Sequence, residues 1–184
     1  RDEKEWGVTL FYLAESIDAG DVITQRSYPI TDEDDVNSLF DKADGASAEM
    51  LREVLPKIQE GSAPRIPQDP SEITKLPRRA PEDGKIDWQK SSREIFNLIR
   101  ALKKPYPPAF TSLQGKKVFI CEARQDSASS EGSGVLQSIT NEALIVGASD
   151  SSLALLRLQP EGEEECSASQ FAQTHDLKHG DRFG

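Results

Sequence analysis

The run Trp6-Gly7-Val8-Thr9-Leu10-Phe11-Tyr12-Leu13 is apolar, β-branched and aromatic, and a second such run extends from Val22 to Ile30. Between them lies Ala14-Glu15-Ser16-Ile17-Asp18-Ala19-Gly20-Asp21, so the pattern predicts two adjacent strands joined by a polar loop. Downstream, Val36, Leu39, Phe40, Ala43, Met50, Leu51, Val54, Leu55 and Ile58 recur at spacings of three, four and seven, the repeat of a long helix. Thr31 or one of the acids in Asp32–Asp35 can cap its start, where negative charge suits the helix dipole. Pro56 should tighten or kink the last turns, and Gly61 should end them.

Residues 62–85 carry many prolines and charges without periodicity and read as a long ordered connection, a kind of segment that is often functional. A second helix is expected over Ser92–Lys103. Ser91 and Glu94 form a capping box, and Ile95, Leu98, Ile99 and Leu102 form one apolar stripe. Pro105-Tyr106-Pro107-Pro108 ends it and reads as a domain boundary. Short strands follow near Ala109–Leu113, Lys117–Arg124, Gly134–Ile139, Ala143–Gly147 and Leu153–Gln159, which together suggest a small barrel. Ser167 and Gln170 make another capping box for a short helix ending near Thr174.

Charge narrows the picture. Twenty-two basic residues face 32 acidic ones, for a net charge of −10 spread evenly over residues 1–108 and 109–184. Nucleic-acid binders draw affinity from phosphate neutralisation, so an acidic total disfavours a large polyanionic partner without excluding a local basic patch. No apolar run reaches the ~20 residues of a membrane helix, and Cys121 and Cys166 form no metal pattern. Two cysteines point to a reducing, cytoplasmic setting rather than a secreted scaffold. The sequence opens at Arg1 and its one methionine is Met50, as expected of a chain that begins inside a longer protein.

The stretch G-V-T-L-x-x-L-x-x-x-I-D-x-G-D-V-I at residues 7–23 resembles the folate-dependent formyltransferases that use 10-formyltetrahydrofolate. Three further segments resemble the same family: Arg78-Arg79-Ala80-Pro81-Glu82-Asp83-Gly84-Lys85-Ile86-Asp87-Trp88, the span from Ile99 to Phe110, and the closing Leu177–Gly184. The resemblance implies an α/β fold: the C-terminal part of a Rossmann-like formyltransferase domain with its connecting segment (residues 1–108), then a small OB-like β-barrel (residues 109–184). It also implies a missing N-terminal half that carries the family's catalytic Asn and His, without which the chain should be inactive alone.

On that resemblance Asp18 is the catalytic Asp, which holds and tunes the His and helps move protons. Ala14, Glu15, Ser16, Ile17 and Asp18 match the loop whose backbone lines the pterin pocket. The bland reading of Asp18 is a turn residue, since Asp before Ala-Gly is an ordinary turn composition; Asp21 reads as a second turn residue. Arg78 and Arg79 could touch a phosphorylated acceptor, because the arginine fork suits phosphate, or could brace the connection together with Asp83 and Asp87. Trp88 reads as an anchor for that connection and Arg100 as structural. His175, His179 and the Glu163–Glu165 run read as surface or cap residues.

The resemblance implies transfer of the formyl group to a primary amine. The acidic balance of residues 109–184, six basic side chains against eleven acids, favours a nucleotide-linked amino sugar over initiator methionyl-tRNA, which stays as the alternative. A different class is a non-catalytic binding or oligomerisation module with the barrel as its working part; a homo-oligomer remains open. Strands severed from their sheet expose unpaired backbone, so residues 1–60 are expected to need an upstream half for stability.

Overall fold

The computed structural model describes residues 1–184 and divides into two compact units, residues 3–78 and residues 79–184 with Arg1 and Asp2. The division falls at Arg78/Arg79, not after residue 108. The helix expected to close the first domain is instead built into the second: Ile95, Phe96 and Ile99 belong to the same buried cluster as Ile120, Leu144 and Leu155 of the downstream sheet. Pro105–Pro108 is a connection inside that unit.

In residues 3–78, β1 (Glu5–Phe11) and β2 (Val22–Pro29) form an antiparallel pair whose register runs from Glu5 opposite Pro29 to Leu10 opposite Thr24. A one-residue shift at Leu10/Phe11 then brings Phe11 opposite Val22, where the connecting loop begins. α1 (Val36–Gln59) starts at Asp35, whose carboxylate accepts the N–H groups of Asn37 and Ser38 while the Ser38 hydroxyl accepts the Asp35 N–H. Gly61, at φ 73°, follows its end, and Pro56 is accommodated in its last turn. Leu39, Met50 and Val54 are buried, and the helix is tied to the strands by Trp6 against Phe40 at 5.8 Å and by Arg26 donating to Glu49 and Glu53 at 2.8 Å each. The other half of the apolar repeat, Phe40, Leu51, Leu55 and Ile58, remains exposed.

At the start of α1, Asp34 is 5% exposed and receives the Lys42 ammonium at 2.6 and 2.7 Å, the Thr31 N–H at 2.8 Å and the Ser38 hydroxyl at 2.8 Å. Burial pushes this carboxyl up, but the ammonium and the other donors outweigh it and hold Asp34 well below the usual carboxylate range.

The second unit begins with a short 3-10 turn over Pro81–Gly84 and α2 (Ser92–Ala101), whose capping box of Ser91 and Glu94 forms as its sequence predicts. Then come β3 (Ala109–Leu113), β4 (Lys116–Asp126), β5 (Leu136–Ile139), β6 (Leu144–Gly147), β7 (Ser152–Pro160), β8 (Cys166–Ser167) and α3 (Ala168–Thr174). The sheet runs β3-β4-β7-β6-β5, all antiparallel, with β8 on the edge of β7 that β6 leaves free. Two register shifts in β4, around Glu122, bend the sheet.

No ladder joins β3 to β5, so the sheet is open and the expected closed barrel is not found. The C-terminal tail lies between those edges. Phe183 bridges to Leu113 and Arg182 to Val135, each as a single antiparallel bridge. An isolated bridge on either side is too short to make a strand, which is why six strands and a tail stand where a closed barrel was expected. α2 and α3 supply Ile95, Ile99, Ala168 and Phe171 to the core on this sheet. No helix of the chain is long and apolar enough to cross a membrane.

Candidate functional site

The loop between β1 and β2 opens where strand pairing stops. Its mouth is closed by Tyr12 N–H donating to the Asp21 carbonyl at 2.9 Å, and a weaker bond, Ala19 N–H to the Ser16 carbonyl at 3.4 Å, turns the chain inside it. Residues 13–19 are exposed, with Leu13 and Ile17 at 95% and 92%. Asp18 adopts φ 56°, a left-handed conformation that Asp tolerates better than most residues. Gly20 is buried against the Tyr12 carbonyl; a Cβ there would fall on the Tyr12 oxygen and 2.7 Å from its carbonyl carbon. The sequence Asp18-Ala19-Gly20 is thus answered residue by residue: Asp at the left-handed position, Gly where backbone meets backbone.

The Pro-rich connection holds this loop from the side. Ile66 pairs with Val22 through two backbone bonds, Val22 N–H to Ile66 O at 2.8 Å and Ile66 N–H to Val22 O at 3.0 Å. Arg65 lies 3.7 Å above the centroid of the Tyr12 ring and 3.4 Å from the Asp21 carboxylate. Gln68 Nε2 donates to the carbonyls of Asp18 at 2.8 Å and Gly20 at 2.7 Å. Neither Arg65 nor Gln68 was singled out from the sequence. The available signal was the extended Pro64-x-x-Pro67 setting, which suits a strand edge but does not say which strand it meets.

Ala14, Glu15, Ser16, Ile17 and Asp18 therefore form one exposed loop, with polar backbone edges beside apolar side chains. Arg78 and Arg79 straddle the division between the two units. Both are exposed, and Arg79 donates to the Asp83 carbonyl at 3.0 Å while the Asp83 carboxylate accepts the Ala80 N–H at 2.7 Å. That is a self-braced turn. Trp88 anchors the same segment: it is 5% exposed, its indole N–H donates to the Thr111 hydroxyl at 3.0 Å, and its ring lies 6.1 Å from that of Phe183.

The second unit's nucleophile and base candidates are differently engaged. His179 meets the Glu131 carboxylate at 2.8 Å on the surface, and His175 stacks on Phe171 at the end of α3. Burial, assisted by the Glu165 carboxylate, pushes the Cys121 thiol up to about 11, far from a thiolate at neutral pH. No three His, Cys, Asp or Glu side chains gather as metal ligands.

Residues 79–176 match the family described as formyl transferase, C-terminal domain. Over 184 residues, covering 99% of this chain, the sequence is 37% identical to a methionyl-tRNA formyltransferase of Streptococcus pneumoniae serotype 19F, of which it spans 58%. Among solved structures, HypX from Aquifex aeolicus in complex with tetrahydrofolic acid is similar at a TM-score of 0.73 and 22% identity, covering 92% of this chain and 30% of that one. The N-formyltransferase from Helicobacter canadensis in complex with folinic acid and dTDP-3-aminofucose gives a TM-score of 0.67 at 22% identity, over 84% of this chain and 56% of that one. At these identities the structural matches speak for the fold; the family rests on the sequence match.

Proposed function

The chain belongs to the folate-dependent formyltransferases, as the C-terminal portion of the family's fold, and on that premise we propose that it serves formyl transfer from 10-formyltetrahydrofolate to a primary amine. The observation that carries the reading is Asp18. It sits in a left-handed turn on an exposed loop that paired strands open and the Arg65–Gln68 segment braces.

In this reading the neutral amine attacks the formyl carbon and the new C–N bond forms. The carbonyl becomes a tetrahedral oxyanion, which collapses with cleavage of the bond to N10 of the folate. The amine nitrogen gives up a proton and N10 gains one. Donors must wait at the developing oxyanion; an Asn and a His of the preceding part of the enzyme supply them, and Asp18 holds the His in the tautomer it needs and takes part in the proton movement. The backbone of Ala14–Ile17 reads the pterin edge, with Leu13 and Ile17 as its apolar border. The exposed Phe40, Leu51, Leu55 and Ile58 of α1 support a unit completed by further chain.

Two acceptors are supported by different observations. Identity at 37% to proteins named methionyl-tRNA formyltransferase supports the tRNA-linked amine. The excess of acids in residues 109–184 supports a nucleotide-linked amino sugar. Arg78 and Arg79 are proposed as phosphate contacts for either.

The test is Asp18→Asn in the full-length protein, assayed with 10-formyltetrahydrofolate against initiator methionyl-tRNA and a dTDP-linked amino sugar in parallel. Turnover should fall by about 10²–10⁴, the usual worth of a positioned acid–base group, with the fold intact by circular dichroism. Unchanged turnover removes Asp18 from the chemistry. Whichever acceptor the wild-type protein consumes decides between the two readings.

A further inference from the structure

Gln68 lies fifty residues from Asp18 in sequence, outside every motif of the active-site loop, yet both of its amide protons are spent there. We infer that Gln68 is a positioning residue: its side-chain amide clamps the carbonyls of Asp18 and Gly20 and thereby fixes where the Asp18 carboxylate is presented. The inference rests on the reading of Asp18 as catalytic.

The geometry is specific. One nitrogen, Gln68 Nε2, reaches two carbonyl oxygens at 2.8 and 2.7 Å. Two carbonyls two residues apart converge on one donor only if the chain turns between them, and Asp18 at φ 56° leads into that turn. A left-handed residue bearing a Cβ drifts toward the ordinary regions unless something outside it holds the backbone.

Gln68 can hold it because its own backbone is fixed on both sides. Ile66, two residues earlier, is locked to Val22 by a pair of backbone bonds. Pro67 restricts the residue between. Asp69, immediately after, accepts the Ser71 N–H at 2.8 Å and hydroxyl at 2.7 Å to start the next 3-10 turn. Arg65 adds a second hold on the loop's two ends through the Tyr12 ring and the Asp21 carboxylate.

The choice of residue is also chemical. An amide provides two donors without charge and without a titration of its own. Lysine or arginine would donate as well, but would bring a cation beside a carboxylate that has to interact with a histidine. Gln68 can set the position of Asp18 and leave its basicity to its catalytic partner.

The experiment compares Gln68→Met, Asp18→Asn and the double variant in the full-length protein, with 10-formyltetrahydrofolate and the acceptor that the wild type uses. Met keeps length and removes both donors. Gln68→Met should lower kcat at least about tenfold, as expected of a catalytic group displaced by a fraction of an ångström. The acceptor KM should stay within about twofold, and the acidic limb of the kcat–pH profile should shift. In the Asp18→Asn background the same substitution should cost less than about twofold, because the group it positions is already gone.

Wild-type kcat and pH profile in Gln68→Met, with Asp18→Asn inactive, overturns the role of Gln68 and leaves Asp18 standing. An active Asp18→Asn overturns the catalytic reading beneath it. Multiplying effects in the double variant show that Gln68 acts on something other than Asp18, and also overturn the inference. Should Gln68→Met fail to fold, Gln68→Asn, whose amide falls one methylene short, is read instead: lowered kcat at native Tm supports the clamp, and wild-type kcat refutes it.

Discussion

Gly20→Ala is the sharpest perturbation of the loop, because its consequence follows from backbone positions alone. The added Cβ would land on the Tyr12 carbonyl oxygen, 2.7 Å from the carbonyl carbon and 3.4 Å from Cδ2 of Phe11. The Cβ would lie only 1.6 Å from that oxygen, against comfortable heavy-atom contacts of ~3.5–4.0 Å, so the end of β1 and residue 20 must separate by more than about 1 Å, and neither partner is a flexible side-chain tip. Two bonds depend on that approach: Tyr12 N–H to the Asp21 carbonyl at 2.9 Å and Gln68 Nε2 to the Gly20 carbonyl at 2.7 Å. Overpacking costs about 1–3 kcal/mol, and weakening two bonds worth about 1 kcal/mol each brings the total to the order of 3 kcal/mol.

In the full-length protein these residues melt together with the preceding part proposed above, and in a unit of that order about 1 kcal/mol corresponds to roughly 2–4 °C in Tm. The melting transition should therefore fall by about 6–12 °C, and kcat should drop with it. Differential scanning calorimetry of wild type and variant measures the shift. Gly45→Ala is the control, since a Cβ there meets nothing within 4 Å and the residue lies inside α1; it should stabilise by about 0.5–1 kcal/mol. A Gly20→Ala protein that melts within about 2 °C of wild type, well inside the shift worked out above, would refute the argument.

Other consequences follow from buried polar groups. Asp34 titrates below its unfolded range, so its stabilising share is complete above pH about 4 and is lost as pH falls through the lower folded value. Asp34→Asn should flatten the decline of Tm with pH below about 4; equal slopes in both proteins would show that the Lys42 pairing contributes nothing. In the second unit, Thr111→Val leaves the Trp88 indole N–H buried without an acceptor and should cost about 1–3 kcal/mol. Trp88→Phe in that background should cost less than it does in wild type, and strict additivity in urea melts of the four-member cycle would remove the Trp88–Thr111 bond as a source of stability.

Much of the local structure was legible in the sequence. The capping boxes at Ser91/Glu94 and Ser167/Gln170 form as written, because donor and acceptor lie three residues apart and helix geometry alone joins them. The acid that caps α1 is Asp35, within the cluster that the charge pattern offered. Strands β3, β4, β6 and β7 fall within a few residues of the short runs that marked them in the sequence. Asp18 and the Ala14–Ile17 loop were marked by a contiguous motif, and the structure places them together on one exposed turn.

What the sequence left undecided depends on partners far away along the chain. α2 is amphipathic wherever it packs; only the tertiary structure shows that it packs on β4 and β7 and that Ile95 and Ile99 join their buried cluster, which moves the division from residue 108 to Arg78/Arg79. β8 has two residues, too few to carry a period, and exists because β7 outruns β6 and leaves an edge for Cys166 and Ser167. Between β3 and β5 the tail takes the place of a ladder, its backbone bonded to both edges, an arrangement that alternation of side chains cannot express. Gln68 is the plainest case. Its glutamine in a Pro-rich connection has no local signature, and its role arises only where the Val22–Ile66 pairing lays that connection against the turn at Asp18. Bonds spanning three or four residues follow from composition and spacing, whereas a bond spanning fifty requires the chain to have already folded around it.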